Sequence, residues 1–261
     1  MPIIRTKEVQ LYYEEMGQGE PLLLLHGLGS STEDWPMQME VFSQQYRVIA
    51  VDMRGHGRSA KPPGPYSIPM FAADTAAFLQ ALQIPSAHVL GISLGGMIAF
   101  QLVASYPQMV KSLIIVNSVP SMVVRNFADR WQLWQRLAIV ELMGMRRMGE
   151  YLAPRLFPKP EQEELRQEII QRWAQNDKQA YLAAMRSFVG WDVTGQLATI
   201  NCPTLVISAE EDYWPIEDKE VYTAQIPNAR LLVVEDSRHA TPIDQPEVFN
   251  TAVLDFLSSV P

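Results

Sequence analysis

The 261-residue chain holds one cysteine, Cys202, so no internal disulfide can staple it. That agrees with a reducing compartment without requiring one. No apolar run is long enough to cross a bilayer: the longest, Val89 to Phe100, is short and broken by three glycines. Residues Met1 to Gln10 carry Arg5, Lys7 and Glu8 and no hydrophobic core of a leader, so no secretory signal is expected and the default location is cytoplasmic. Phosphate cradles are missing, since neither GxxxxGK[ST] nor GxGxxG occurs. A surplus of positive charge is missing as well: the formal net charge is −8, which argues against general nucleic-acid binding. No internal repeat or low-complexity segment is present. What remains, 48% apolar and 19% charged residues, suits one α/β domain or one domain with an inserted subdomain.

The pattern along the chain alternates strand and helix. Strands are expected at Ile3 to Lys7, Val9 to Glu15, Leu22 to Leu25, Tyr46 to Val51, Ala87 to Leu90, Leu113 to Val116, Thr204 to Ser208 and Arg230 to Val234. Helices are expected at Asp34 to Gln44, entered through Ser31 and Thr32, and at Ser67 to Leu82, stopped by Pro85. Others are expected from Met97 to Tyr106, Glu217 to Gln225 and Pro246 to Leu257. This order implies a mostly parallel sheet with right-handed crossovers. Residues 120–199 depart from it: no strand is evident, and helical stretches are broken by Gly144, Gly149, Pro154, Pro158 and Pro160. The expected division is therefore a core of residues 1–119 and 200–261, with 120–199 a helical lid inserted after the sixth strand. A lid of this kind lies over the carboxyl ends of the strands, where open α/β sheets bind ligands.

The chemistry gathers at Gly91-Ile92-Ser93-Leu94-Gly95, between an apolar strand and a helix. A serine there sits on a strained turn that glycines two residues either side make room for, so its hydroxyl is presented as a nucleophile. Serine needs a base, and the base an orienting acid. Of the four histidines, His26 and His56 lie in glycine-rich loops, His88 lies in or beside a strand, and His239 follows the last strand. The order serine, acid, histidine selects His239 as base. Glu210, Glu211 and Asp212 offer three carboxylates after the preceding strand; Asp212 is chosen for its distance past the strand end. Asn117 occupies a rival position for the acid but carries no charge. The backbone N–H groups of Leu94, at a helix start, and Leu28, in His26-Gly-Leu-Gly29, are the candidate donors to an oxyanion. In the loop Asp52 to Ser59, Asp52 and Arg54 are read as structural ties.

Taken together, His26-Gly-Leu-Gly29, Asp52-x-Arg-Gly-His-Gly-Arg-Ser59, Gly91-x-Ser-x-Gly-Gly96 and the loops at Asp212 and His239 resemble the α/β-hydrolase fold superfamily. The resemblance covers both flanks of the chain and is weak in the insertion. It implies an eight-stranded sheet flanked by helices and cofactor-free, metal-free cleavage of carboxylic esters by Ser93, Asp212 and His239. The elbow and tail look most like 3-oxoadipate enol-lactonases and allied carboxylesterases; pimeloyl-carrier-protein methyl ester esterases are similar too. Arg238 departs from relatives that place glycine before the histidine. A ligand receptor built on the same fold is the alternative from another class.

The lid supplies Trp131, Trp134, Met143 and Arg146 as candidate substrate-binding residues. From Ser121 to Pro160 seven basic residues (Arg125, Arg130, Arg136, Arg146, Arg147, Arg155, Lys159) face three acidic ones, Asp129, Glu141 and Glu150. A solvated helical face is the plain reading; a patch for an anionic substrate or an acyl carrier protein is the sharper one.

Overall fold

In this computed structural model, residues 2–123 and 127–260 are described. Among them an eight-stranded sheet has the order β1-β2-β4-β3-β5-β6-β7-β8. The strands are β1 (Ile3–Arg5), β2 (Gln10–Met16), β3 (Glu20–Leu25), β4 (Tyr46–Val51), β5 (Ala87–Ile92), β6 (Val110–Val116), β7 (Thr204–Glu211) and β8 (Ala229–Arg238). β2 is antiparallel to β1 and β4, and every other pairing is parallel.

The apolar strand runs are explained by burial on both faces. Leu23 and Leu25 enter one hydrophobic cluster while Leu22 and Leu24 enter the other, and Leu113 and Ile115 divide from Ile114 and Val116 in the same way. Strand alternation thus splits one continuous run between two cores. The helices on either side are α1 (Pro36–Phe42), α2 (Ile68–Ala81), α3 (Leu94–Ser105), then α4 (Phe127–Met143), α5 (Met145–Leu156), α6 (Glu163–Ala174) and α7 (Lys178–Ser187) between β6 and β7. After β7 come α8 (Ile216–Thr223), α9 (Thr241–Asp244) and α10 (Pro246–Ser258). α3 is buried from Leu94 to Val103, so it is apolar all round.

Boundaries differ from expectation for local reasons. Ser31 caps a short 3₁₀ turn, Thr32–Asp34, and α1 starts afresh at Pro36, whose missing N–H is harmless at a first helical position. α2 ends before Pro85, because Gln83 turns left-handed at φ 59° and Ile84 N–H closes on Leu79 O at 2.9 Å. Gly149 and Pro154 do not break the insertion; both lie inside α5, and Gly149 lets α6 approach so closely that a Cβ there would meet Ile170 Cα at 3.2 Å. The ends of the insertion are stitched together by Met122 N–H to Trp191 O (2.8 Å) and Val193 N–H to Pro120 O (2.9 Å). Its apolar side chains, Met148, Leu152 and Phe157 among them, join the same cluster as one face of the sheet. Among the described residues no helix is long and apolar enough to cross a membrane.

Candidate active site

β5 ends at Ile92 and α3 begins at Leu94, so Ser93 alone makes the turn, at φ 54° and ψ −116°. Such a conformation persists for serine only where its neighbours dictate it. Ser93 N–H donates to Val116 O at 3.0 Å, and Ser118 Oγ–H donates to Ser93 O at 2.7 Å. A Cβ on Gly91 would lie 2.3 Å from Gly95 O, and one on Gly95 would lie 2.1 Å from Leu25 O. The glycines are therefore required by the closeness of three backbone segments.

His239 follows β8, and its Nδ1 lies 2.5 Å from Asp212 Oδ1. With Nδ1 turned to the carboxylate, Nε2 is on the other side of the ring. His239 and Ser93 both line one cavity that opens to solvent. The Tyr213 ring stacks on the imidazole, centroids 4.1 Å apart, and the Arg136 guanidinium lies 5.2 Å from the centre of the Tyr213 ring. The neighbouring carboxylates are occupied elsewhere: Glu210 accepts from Asp236 N–H at 2.9 Å, and Glu211 pairs with Arg238.

Two residues at this site were not singled out as functional by the sequence. Lys219, on α8, is fully buried, with Nζ 2.5 Å from Asp212 Oδ2, 2.8 Å from Ser208 Oγ and 3.2 Å from Trp214 O. Burial works to raise the Asp212 carboxyl, but the imidazole and the ammonium with their hydrogen bonds outweigh it and hold the group below its ordinary value. Burial pulls Lys219 down, against the attraction of Asp212. The sequence does carry a signal for it: Lys219, Tyr222 and Thr223 form the inward stripe of α8, and a lysine there needs a buried partner. Asn117, the rival acid position, is fully buried at φ 42° and ties strand ends together. Its Nδ2 donates to His239 O (2.9 Å) and Thr241 Oγ1 (2.8 Å), while its Oδ1 accepts from Ala209 N–H (2.7 Å).

The other histidines are held in the interior. His26 Nδ1 donates to Gly27 O (2.7 Å), and its Nε2 accepts from Met53 N–H (3.1 Å). Burial lowers His26 to about 4. His56 is lowered to about 3 by burial and by the nearby His26 ring. His88 lies between Ser112 and Glu20. Asp52 accepts from Thr32 and Arg58 N–H, both at 2.7 Å, and Arg54 makes a buried two-bond pair with Asp74 at 2.6 and 2.7 Å. The loop is thus tied as the sequence implied.

Leu28 lines the cavity beside Gly27, where an added Cβ would come within 3.6 Å of Ser93 Cβ. Leu94 opens α3, so its N–H has no partner within the helix. The structure does not bring the expected lid residues to the cavity. Trp131, Trp134 and Met143 are 52%, 67% and 59% exposed, and Arg146 stands outside with Arg147, both paired to Glu150. Arg125 and the side chains of Asp129 and Arg130 lie outside the described residues. Leu156, Phe157, Ile169 and Trp173, from α5, its end and α6, form the wall instead. They face inward because α5 buries the stripe Met145, Met148, Leu152 and Leu156, spaced by three or four. The polar part of the wall is Ser30 and Asp34, and Asp34 is gripped by Arg172 of α6 at 2.9 Å.

The strand order and strained serine turn define an α/β hydrolase. The sequence pattern of the alpha/beta hydrolase fold matches residues 20–246, and the chain belongs to that family. It is 30% identical over 256 residues to 3-oxoadipate enol-lactonase 2 of Acinetobacter baylyi, covering 96% of this chain and 94% of that one. An esterase from Thermogutta terrifontis superposes with a TM-score of 0.89 at 27% identity, covering 99% of this chain and 98% of the other. The enol-lactonase of Burkholderia xenovorans shares the fold with a TM-score of 0.91 at 24% identity, over 99% and 100% of the two chains.

Proposed function

We propose that this hydrolase cleaves uncharged carboxylic esters, of short to medium acyl chain, through an acyl-enzyme on Ser93. The reading is carried by one observation: His239, oriented by Asp212 at 2.5 Å, and Ser93 line the same cavity. Ser93 Oγ attacks the carbonyl carbon as His239 Nε2 takes its proton. The N–H groups of Leu28 and Leu94 receive the oxyanion, and the proton passes to the departing alcohol. Water, deprotonated by the same imidazole, then releases the acid. The relationship to an enol-lactonase supports lactones as a second substrate class, opened by the same steps.

The cavity wall favours uncharged substrates. None of its lining residues is lysine or arginine, and it contains the carboxylate Asp34 among Trp35, Phe157 and Trp173. An acyl chain ending in a carboxylate would lose its water there without gaining a cation. The wild-type chain is expected to turn over p-nitrophenyl butyrate with a burst of p-nitrophenol. Its kcat/KM for p-nitrophenyl hydrogen succinate should be at least about tenfold lower, equivalent to about 1.4 kcal/mol or more. Equal rates on the two esters contradict the substrate class. A single slow turnover with no steady state contradicts the enzyme and favours the receptor.

A further inference from the structure

An ammonium group with no exposed surface sits on the far side of Asp212 from the imidazole. Its protonation follows from its neighbours. Ser208 Oγ–H is directed to Ala209 O at 2.9 Å, so toward Lys219 the hydroxyl oxygen accepts. Trp214 O and Asp212 Oδ2 are also acceptors. Three acceptors around Nζ match the three donors of a charged lysine, whereas a neutral amine would leave one of them without a proton. Asp212 is therefore shared: Oδ2 belongs to Lys219 and Oδ1 to His239.

We infer that Lys219 is a positioning residue of this site, holding Asp212 in the rotamer that meets His239 and offsetting part of its charge. This rests on the proposed roles of Asp212 and His239. A buried carboxylate facing the imidazole alone would stabilise imidazolium strongly and leave less free base near neutral pH. With one oxygen committed to an ammonium, the carboxylate still fixes the ring but attracts its proton less. The remaining groups facing the cluster do not replace that cation. Tyr222, from α8, donates its hydroxyl to Ser118 O. Tyr213 lies against the imidazole with Arg136 of α4 beyond it. Asp218 adds a negative charge near Lys219, Arg238 is paired to Glu211, and Asp244 accepts from Arg238 N–H.

The sign is fixed by electrostatics: removing the cation favours imidazolium, so the imidazole should release its proton at higher pH. In Lys219→Met, ¹⁵N spectra of histidine-labelled protein should show the His239 titration midpoint moving up by about 0.5 to 1 pH unit. The acid limb of kcat/KM should move with it, so the rate at low pH relative to the plateau falls by about three- to tenfold. Lys219→Gln, which keeps a donor but not the charge, should shift the midpoint in the same direction if the methionine variant does not fold. In the wild type, the Nζ resonance of Lys219 should be that of an ammonium at neutral pH. A folded variant with an unmoved midpoint, or a neutral amine in the wild type, overturns the inference. Because both spectra are read without substrate, failure of the lysine's role is distinguishable from failure of the hydrolase reading, which appears as absence of turnover in the wild type.

Discussion

At the scale of the residue, the interior polar groups decide how the site stands up to acid. His26 and His56 pack with ring centroids 5.0 Å apart, and neither is protonated in the folded chain until pH falls to about 4 and about 3. Their unfolded values lie near 6.5, so the unfolded chain gains protons first as pH drops. Both folded values being depressed, this contribution to stability is present above pH 6.5 and is lost as pH falls toward the folded values. The pair should contribute a slope of about 2.7 kcal/mol per pH unit between roughly pH 6 and 4.5. Urea denaturation of His56→Leu should reduce the measured slope by about 1.4 kcal/mol per unit relative to wild type. An unchanged slope would mean that His56 is already charged in the fold. The loops tied by these rings carry Leu28 and Arg54, so acid should loosen the Leu28 side of the cavity before the sheet itself.

At the scale of the element, α6 is what holds the helices between β6 and β7 against the sheet and its loops near the cavity. Arg172 donates to Glu33 O at 2.8 Å and to Asp34 at 2.9 Å, and Asn176 Nδ2 donates to Gly29 O at 2.7 Å. Gly29 has φ 75°, and an added Cβ there would touch the Trp173 ring at 3.1 Å, so α6 and the loop meet without room to spare. Arg172→Met removes the cation from a half-buried carboxylate. The pair is part-exposed, so a loss of about 1 kcal/mol in chemical denaturation is expected. KM for p-nitrophenyl butyrate should rise more than kcat falls, because the wall moves while Ser93, Asp212 and His239 stay. Equal loss in kcat would place Arg172 closer to the chemistry.

The elements also show which parts of the site could be read from sequence. The serine turn was legible because its cause is short-range: glycines at positions 91 and 95 answer to collisions within a few residues and the adjoining strand. Asp212 and His239 were legible because each follows a strand whose apolar run marks its end. The helical wall of the cavity was not, since whether Trp131 or Leu156 meets the cavity depends on how α4, α5 and α6 turn against one another. Trp131 and Trp134 of α4 suggested a pocket, and their side chains stand exposed instead. Asn117 was weighed only as an acid, because its bonds to His239 O and Ala209 N–H span residues distant in sequence.

At the scale of the whole molecule, the parallel strands bring their carboxyl ends to one edge, and separate stretches of chain meet there. Ser93 follows β5, Asn117 follows β6, Asp212 follows β7 and His239 follows β8. Hydrogen bonds from Asn117 to β7 and to the His239 loop make those ends one unit rather than four loops. The sheet and the helices between β6 and β7 share an apolar cluster, so the position of those helices and the site geometry are set together. In the proposed mechanism Ser93 and His239 act together, so removing both should cost no more than removing one.

The decisive measurement is therefore turnover of p-nitrophenyl butyrate by Ser93→Ala, His239→Ala and the double variant, each first shown to be folded by its melting transition. Each single variant should lose at least about 10³-fold in kcat, and the double variant should fall no further than the worse single one. Wild-type turnover in Ser93→Ala, or losses that multiply in the double variant, would contradict a serine and an imidazole acting as one nucleophile.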